Sequence, residues 1–380
     1  MIAKPIMKIL VSLLVLAVSQ VAAAFDIPPP EVKAVAYILV DFRTGEVLAE
    51  KDADMPREPA SLTKIMTAYT VFHELKAGNL KLQDMATISE NAWRTGGSKT
   101  FVAVGKQVGV EDLIKGMIIQ SGNDASIALA EHIGGNVGTF ATLMNEHAKR
   151  IGMTNSHFLN PEGLPAPGHV TTARDMAKLG AALIRDFPEY YPWFAIKEYV
   201  FHNITQHNRN TLLLKDPSVD GIKTGHTEAA GYCLVASAKR EETRLLSVVL
   251  GSTSMSVRAT ESQALLNYGF AFFENVKVLA TGQAVGKATV WKGDKGTIDV
   301  GTAEDLFVTQ PRRDKKKLET VIRLSDHVEA PVAKGAKVGE VDVTEDGKVV
   351  KTAQLVALED VKEGGIFTRL SDGFMLWFKK

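Results

Sequence analysis

Ser61 and Lys64 stand three residues apart in "EPASLTKIMTAYTVFHELKAG", at the head of an apolar run. A serine hydroxyl becomes a useful nucleophile only when a neighbouring base takes its proton, and a neutral lysine amine can be that base. Three residues is just under one helical turn, so a helix starting here turns both side chains the same way. Leu62, Ile65, Met66, Tyr69 and Phe72 recur at helical spacing behind Pro59, which predicts that helix. The same serine would serve equally as a plain helix cap, with its oxygen on a backbone N–H. The stretch by itself leaves both readings open.

Two further stretches bear on the choice. "QSGNDAS" puts Ser121-Gly122-Asn123 between two predicted helices, where a tight connection can aim polar side chains into a cleft. "VDGIKTGHTEAAGY" puts Lys223-Thr224-Gly225-His226 on a predicted strand near a sheet edge. Ser61-x-x-Lys64 is the only S-x-x-K in the chain. In this order the three stretches match the serine, second-serine and lysine signature of penicillin-recognising acyl transferases.

Other chemistries fail on spacing. "HELKA" at His73 lacks the second histidine of a zinc-protease helix, and "GQAVGK" at Gly282 is one residue short of a phosphate loop. The nine histidines show no metal-ligand spacing, so no metal is expected. Cys233 lies in the apolar run "AGYCLVASA", where a buried structural thiol is expected, and one cysteine forms no internal disulfide.

The motifs need elements to hold them. "VKAVAYILVDFRTGEVLAEKDAD" reads as two strands joined by a turn at Arg43-Thr44-Gly45. Residues 61 to about 190 read as mostly helical, through "VEDLIKGMIIQ", "DASIALAEHIGG", "VGTFATLMNEHAKRIG" and "TTARDMAKLGAALIRDF", the last opening on a Thr171/Thr172 cap. Strands return from Val219 to Gly251, and "RATESQALLNYGFAFFENV" reads as a closing helix. Strands at both ends with helices between predict an α+β fold, one antiparallel sheet against a helical block. From about residue 276 to 360, short alternating runs broken by Gly, Asp and Lys predict a small all-β domain. Its basic run Arg312 to Lys317 reads as a solvated loop.

Residues 361–380 form a third texture. On a helical wheel Ile366, Phe367, Leu370, Phe374, Trp377 and Phe378 share one side, with Arg369, Asp372 and Lys379 opposite. That is the pattern of an amphipathic helix lying on a membrane surface. At the other end Lys4 and Lys8, the apolar "ILVSLLVLAV" and Ala22-Ala23-Ala24 have the layout of a secretory signal peptide over residues 1–24. With 44 basic and 44 acidic residues over the whole chain, no nucleic-acid surface is indicated. An exported chain with no disulfide depends on its apolar cores.

The sequence resembles the D-alanyl-D-alanine carboxypeptidases among the low-molecular-mass penicillin-binding proteins. The resemblance covers essentially the whole mature chain. It includes "PASLTKIMTAY", "SENAWRTGGSKTF", "QSGNDASIALAEHIGG", "GMTNSHF" and "VDGIKTGHTEAAGY", then the β domain and the tail. It implies a β-lactamase/transpeptidase-like domain over residues 25–275, with no cofactor. It also implies removal of the terminal D-alanine from peptidoglycan stem peptides at the periplasmic face of the cytoplasmic membrane, and covalent capture by β-lactams. Ser61 would be the nucleophile and Lys64 its base, neutral through burial and the nearby charge of Lys223. Ser121 would carry the proton to the leaving amine, and Asn123 would orient Lys64 and the substrate amide. Backbone N–H groups of Ser61 and His226 would form the oxyanion hole. Lys223 and Thr224 would face the substrate carboxylate, with Gly225 leaving room for close backbone approach.

Other roles stay open. The His226 side chain would assist deacylation or only pack beside the site. Arg209 and Arg258 would help bind the carboxylate or serve as structural ion-pair residues. Glu162, in "NPEGLPAPGH", is set aside as a hydrolytic base because the Glu-x-x-Leu-Asn pattern of class A β-lactamases is absent. A β-lactamase with the same acyl chemistry, and a wall-associated binding protein with a vestigial cleft, are the alternatives.

Overall fold

The computed structural model describes residues 28–378; the expected signal peptide lies outside them, as do Lys379 and Lys380. β1 (Ala36–Asp41) and β2 (Val47–Lys51) form the expected hairpin, with Gly45 at φ +76° in its turn, a conformation that glycine adopts without strain. A helical block follows: α1 (Thr63–Ala77), α2 (Glu90–Arg94), α3 (Val110–Ile119), α4 (Asn123–Gly134), α5 (Val137–Arg150) and α6 (Ala173–Asp186). Its boundaries follow local chemistry. Asn136 caps α5 on Thr139 N and Thr172 caps α6 on Asp175 N, while α1 ends on left-handed Gly78. A short antiparallel pair, β3 (Met85–Thr87) and β4 (Gln107–Gly109) with α2 between them, interrupts the expected run of helices. Strands of three residues are too short to show an alternating pattern.

A second hairpin, β5 (Glu198–Phe201) with β6 (Ile204–His207), and a single turn, α7 (Leu212–Lys215), lead back to the main sheet. There β7 (Val219–Thr227), β8 (Gly231–Arg240) and β9 (Thr243–Ser252) complete an antiparallel sheet of order β2-β1-β9-β8-β7. The strand carrying Lys223-Thr224-Gly225 is therefore an edge, as expected.

Alternation along the strands divides the core in two. Ile38, Val235, Leu246 and Val248 join Leu62, Ile65, Phe72 and Leu179 on the helical-block side. Leu39, Leu234, Leu245 and Val249 pack on the other face with Leu265 and Leu266 of α8 (Met255–Phe272). Each such fully buried side chain contributes about 1.5–3 kcal/mol relative to exposure, so α1 is anchored along its length.

The closing helix is shorter than the sequence suggests. It stops at Phe272, and the chain is already extended in β10 (Phe273–Leu279), paired with β13 (Leu306–Pro311). The apolar run "FAFFENV" fits either period, and pairing with β13 decides it. The β region adds a six-stranded sheet of order β14-β16-β17-β12-β11-β15. Its members are β11 (Gly286–Trp291), β12 (Thr297–Gly301), β14 (Leu318–Leu324), β15 (Val328–Glu329), β16 (Lys337–Glu345) and β17 (Lys348–Ala357). Val290, Val300, Val341, Val343 and Leu355 form its separate core. The basic run links β13 to β14 with Lys315 on Glu274 and Lys317 on Glu319, a solvated loop.

The β1–β2 turn joins the two regions: Asn275 donates to Asp41 Oδ2 at 2.8 Å, Lys351 Nζ to Thr44 O at 2.9 Å, and Arg43 lies over the Phe307 ring. Residues just past 360 are woven into the β region. Val361 is buried and bridges Val332, and Gly364 N donates to Lys292 O. The amphipathic element α9 begins only at Ile366 (Ile366–Phe378).

Candidate active site

Ser61 lies in a 3-10 turn, Ala60–Leu62, that runs directly into α1. The spacing therefore does what it promised. Ser61 Oγ and Lys64 Nζ are 3.1 Å apart. Lys64 is buried at 1% exposure, and its nitrogen also donates to Asn123 Oδ1 at 2.7 Å and to the Glu162 carbonyl at 2.6 Å. Two carbonyl acceptors consume the two N–H bonds of a neutral amine, which leaves its lone pair for the Ser61 hydroxyl. Burial is the largest influence on this amine and, with Arg209, brings its pKa from 10.5 down to about 7 against the opposing pull of Glu162 and Asp124.

Asn123 opens α4 and is fixed at its other end, where Nδ2 donates to Gly96 O at 2.7 Å. Ser121 precedes it at φ +68°, a left-handed conformation that turns its side chain toward β7. There Lys223 Nζ donates to Ser121 Oγ at 2.9 Å and to Thr224 O at 3.1 Å. The Asp124 carboxylate accepts from the backbone N–H groups of Thr100, Phe101 and Val102, which ties the loop before α3 to the same helix start.

Gly225 explains how β7 reaches Ser61. A Cβ there would stand 3.2 Å from Leu62 N and from Pro59 O, and 3.3 Å from Ala60 Cβ. Only glycine lets the edge strand lie that close to the 3-10 turn. Gly163, at φ +85°, performs the same service on the opposite side, where a Cβ would fall 1.9 Å from Ala60 O.

The sequence-derived set converges. Ser61, Ser121, Arg209, Thr224, Gly225, His226 and Arg258 all line one open cleft of about 260 Å³. Lys64, Asn123 and Lys223 lie directly behind it through the bonds above. The structure adds detail to three residues. Lys223 was to be the simple positive charge of the site, yet burial and the neighbouring basic groups Lys64, Arg209 and Arg258 push its pKa well down. Arg258 is buried and donates to Gly225 O at 3.0 Å, so it also tethers β7; burial brings it to about 10. Arg209 donates to Gln120 O at 3.1 Å and is lowered by burial.

Sequence reasoning missed three parts of this cleft. Ser98 and Met255 line it, and so does Tyr232, whose ring packs at a tilt against His226 with centroids 4.0 Å apart. The strand register would have found Tyr232, since His226 pairs with it across β7–β8. The Glu162 carbonyl carries no side-chain signal at all. The histidine expected to be ordinary core includes His169, held neutral by burial at about 4, with Nδ1 accepting from Leu159 N and Nε2 on Thr63 Oγ1. Cys233 is buried with its thiol pushed up to about 11, an inert structural thiol.

Comparison with known proteins follows the same two regions. A family model described as D-alanyl-D-alanine carboxypeptidase matches residues 23–254, and one described as penicillin-binding protein 5, C-terminal domain, matches residues 273–363. The chain is 46% identical over 365 residues to the D-alanyl-D-alanine carboxypeptidase DacC of Escherichia coli strain K12, covering 94% of this chain and 91% of that one. Penicillin binding protein 5 from Haemophilus influenzae superposes with a TM-score of 0.82 at 42% identity, over 89% of this chain and 100% of that one. Penicillin-binding protein D2 from Listeria monocytogenes, solved in its ampicillin-bound form, covers 64% of this chain and 99% of its own at 29% identity and a TM-score of 0.59.

Proposed function

The chain belongs to the D-alanyl-D-alanine carboxypeptidase family, and we propose that it acts through a covalent acyl group on Ser61. It is a serine-type D-Ala-D-Ala carboxypeptidase that β-lactams acylate. The observation that carries the reading is Lys64: a buried amine with its pKa lowered to about 7, bonded to two carbonyl oxygens and 3.1 Å from Ser61 Oγ.

In the proposed reaction the Ser61 proton passes to Lys64 Nζ as Oγ bonds to the carbonyl carbon of the penultimate D-alanine. The developing oxyanion rests on backbone N–H groups of Ser61 and His226. The C–N bond then breaks, and the terminal D-alanine leaves with a proton delivered through Ser121. Water repeats the sequence on the ester, with its proton going to Lys64. Asn123 keeps Lys64 aligned throughout. Lys223 and Thr224 receive the terminal carboxylate. Burial first, and then the neighbouring basic groups, depress Lys223, and a bound carboxylate supplies a counter-charge that favours its ammonium form. Arg209 and Arg258 add to that positive field.

The substrate in this reading is the stem peptide of peptidoglycan, reached at the periplasmic face of the cytoplasmic membrane. Residues 1–24 would direct export, and the exposed aromatic face of α9 would hold the enzyme on the lipid surface. Among the described residues no helix is long and apolar enough to cross a membrane.

The decisive experiment uses one preparation and two substrates. Incubation with penicillin should add one β-lactam mass, mapped to Ser61 and absent in Ser61→Ala. A peptide ending in D-Ala-D-Ala should release D-alanine over many turnovers while penicillin turns over slower by several orders of magnitude. Fast penicillin hydrolysis without D-alanine release would make the protein a β-lactamase. Neither labelling nor turnover would leave a binding protein with a vestigial cleft.

A further inference from the structure

We propose that His73, Glu74 and His147 bind one divalent transition-metal ion, independently of the acyl-transfer cleft. The sequence hides this site. "HELKA" lacks a second histidine on its own helix, and the fold supplies one from another. His73 and Glu74 lie near the end of α1, and His147 comes from the last turn of α5, which packs beside it. One ligand atom from each of the three residues lies within 4.8 Å of the other two.

Two observations point toward an ion there. His73 Nδ1 is buried and has no hydrogen-bond partner, while Glu74 Oε1 stands 3.6 Å from it. A buried ring nitrogen is ordinarily satisfied, and an unsatisfied one costs stability. The His73 and His147 rings pack with centroids 4.5 Å apart. Asn79 Nδ2 donates to Glu74 Oε2 at 2.8 Å and orients that carboxylate, while the Tyr69 ring packs edge-on against His147. In addition, Arg150 donates to His147 Nδ1. A guanidinium has no lone pair to give, so Arg150 brings a positive charge against the imidazole that a metal would need. Arg150 is thus the competitor of the metal rather than a fourth ligand.

Imidazole and carboxylate together select ions of the zinc, cobalt and nickel kind over magnesium or calcium. Tetrahedral bonds of about 2.0–2.2 Å bring ligand atoms to roughly 3.4 Å from each other. His73 and Glu74 are only partly buried, so a small rotation of each closes that difference, whereas His147 is buried and sets the position. Three protein ligands leave a fourth place for water. His73 lies nine residues beyond Lys64, roughly 13 Å along the helix, too far for the ion to touch the acyl group. Its effect is to brace α1, the helix that carries Lys64, against α5.

The test uses the mature chain without a polyhistidine tag, stripped with chelator and titrated with Co²⁺ while visible absorption is followed, then with competing Zn²⁺. One Co²⁺ should bind per chain and be displaced by Zn²⁺, and excess Zn²⁺ should raise the melting temperature. Removing an outer-shell partner of a metal typically costs 10–100-fold in affinity, so His73→Gln, which removes a ligand outright, should cost more than about 100-fold. Arg150→Gln should tighten binding by removing the positive charge beside His147. Acylation of Ser61 by penicillin should be unchanged in both variants, which certifies their fold. Absence of stoichiometric Co²⁺ binding in the wild type, or binding that survives His73→Gln, would overturn the site. Binding that weakens in Arg150→Gln would overturn the assignment of Arg150 as the competitor.

Discussion

Lys64 and Lys223 are both buried lysines in one cleft, and their partners separate their tasks. Lys64 faces two carbonyl acceptors and the Ser61 hydroxyl, while Lys223 faces the Ser121 hydroxyl and the Thr224 carbonyl on the edge strand. Lys64→Arg should therefore lower acylation by roughly 10²–10⁴-fold, the usual worth of a general base, because a guanidinium stays protonated. Lys223→Arg keeps a cation at the carboxylate and should lose only about tenfold, one imperfect charged hydrogen bond. Equal losses would dissolve the division. The pH dependence follows from the sign of the Lys64 shift: protonated below about 7, the amine is no base, so penicillin acylation should rise with pH through about 7. The Glu162 side chain is buried, its pKa raised by that burial, and its charge opposes the depression of Lys64. Glu162→Gln leaves the backbone bond to Lys64 in place and should move this acidic limb to lower pH. A limb that stays put would show that the carboxyl does not act on Lys64. Ser61, Lys64, Ser121, Asn123 and Lys223 were legible because side-chain chemistry leaves a type at a spacing. The Glu162 carbonyl was not, since any residue carries one, and neither was the crowd of basic groups around Lys223, which only folding assembles.

At the scale of elements, the site depends on how closely three backbones approach one another. The 3-10 turn at Ala60–Leu62 is gripped between β7 and the Glu162–Gly163 turn, with glycine at each contact. Gly225→Ala places a methyl 3.2 Å from Leu62 N and Pro59 O, so β7 must retreat by a few tenths of an ångström. Overpacking of this kind costs about 1–3 kcal/mol, and the displaced strand carries Lys223 and Thr224 away from Ser61. The variant should fold with a lowered melting temperature and a disproportionate loss of acylation rate, read by intact mass against time. A stability loss with acylation untouched would show that the close approach is packing only. The hairpin of β1 and β2, the helices α3 to α6 and the edge position of β7 were readable from period and caps. The β3–β4 pair was too short to carry a period. The end of α8 was ambiguous because its aromatic run satisfies helix and strand alike until β13 is present to pair with it.

At the scale of the whole molecule, α9 (Ile366–Phe378) rests against the β region. Ile366, Phe367, Leu370, Phe374, Met375 and Trp377 of α9 are all at least half exposed, while Asp372 on the other side of the helix accepts from Lys292 N at 2.6 Å. The helix is thus held to the β region by its polar side and presents its apolar side outward. Half-burying six such side chains in a lipid interface supplies several kcal/mol, enough for reversible attachment. The wheel drawn from the sequence found this face, but it could not find where the tail begins. Val361 fills the β core and Gly364 bonds to Lys292, so a chain cut after Asp360 would damage the β region as well as lose the helix. A cut after Gly365 separates the two effects. That truncated chain should melt as the full chain does, release D-alanine from short peptides at an unchanged rate, and remain in the supernatant when anionic vesicles are sedimented. Phe374→Ser with Trp377→Ser in the full chain should release most of the protein without any cut. If the truncated chain still sediments with vesicles, attachment resides in the β region, where Val321, Ile322 and Val349 are the exposed apolar side chains to change next.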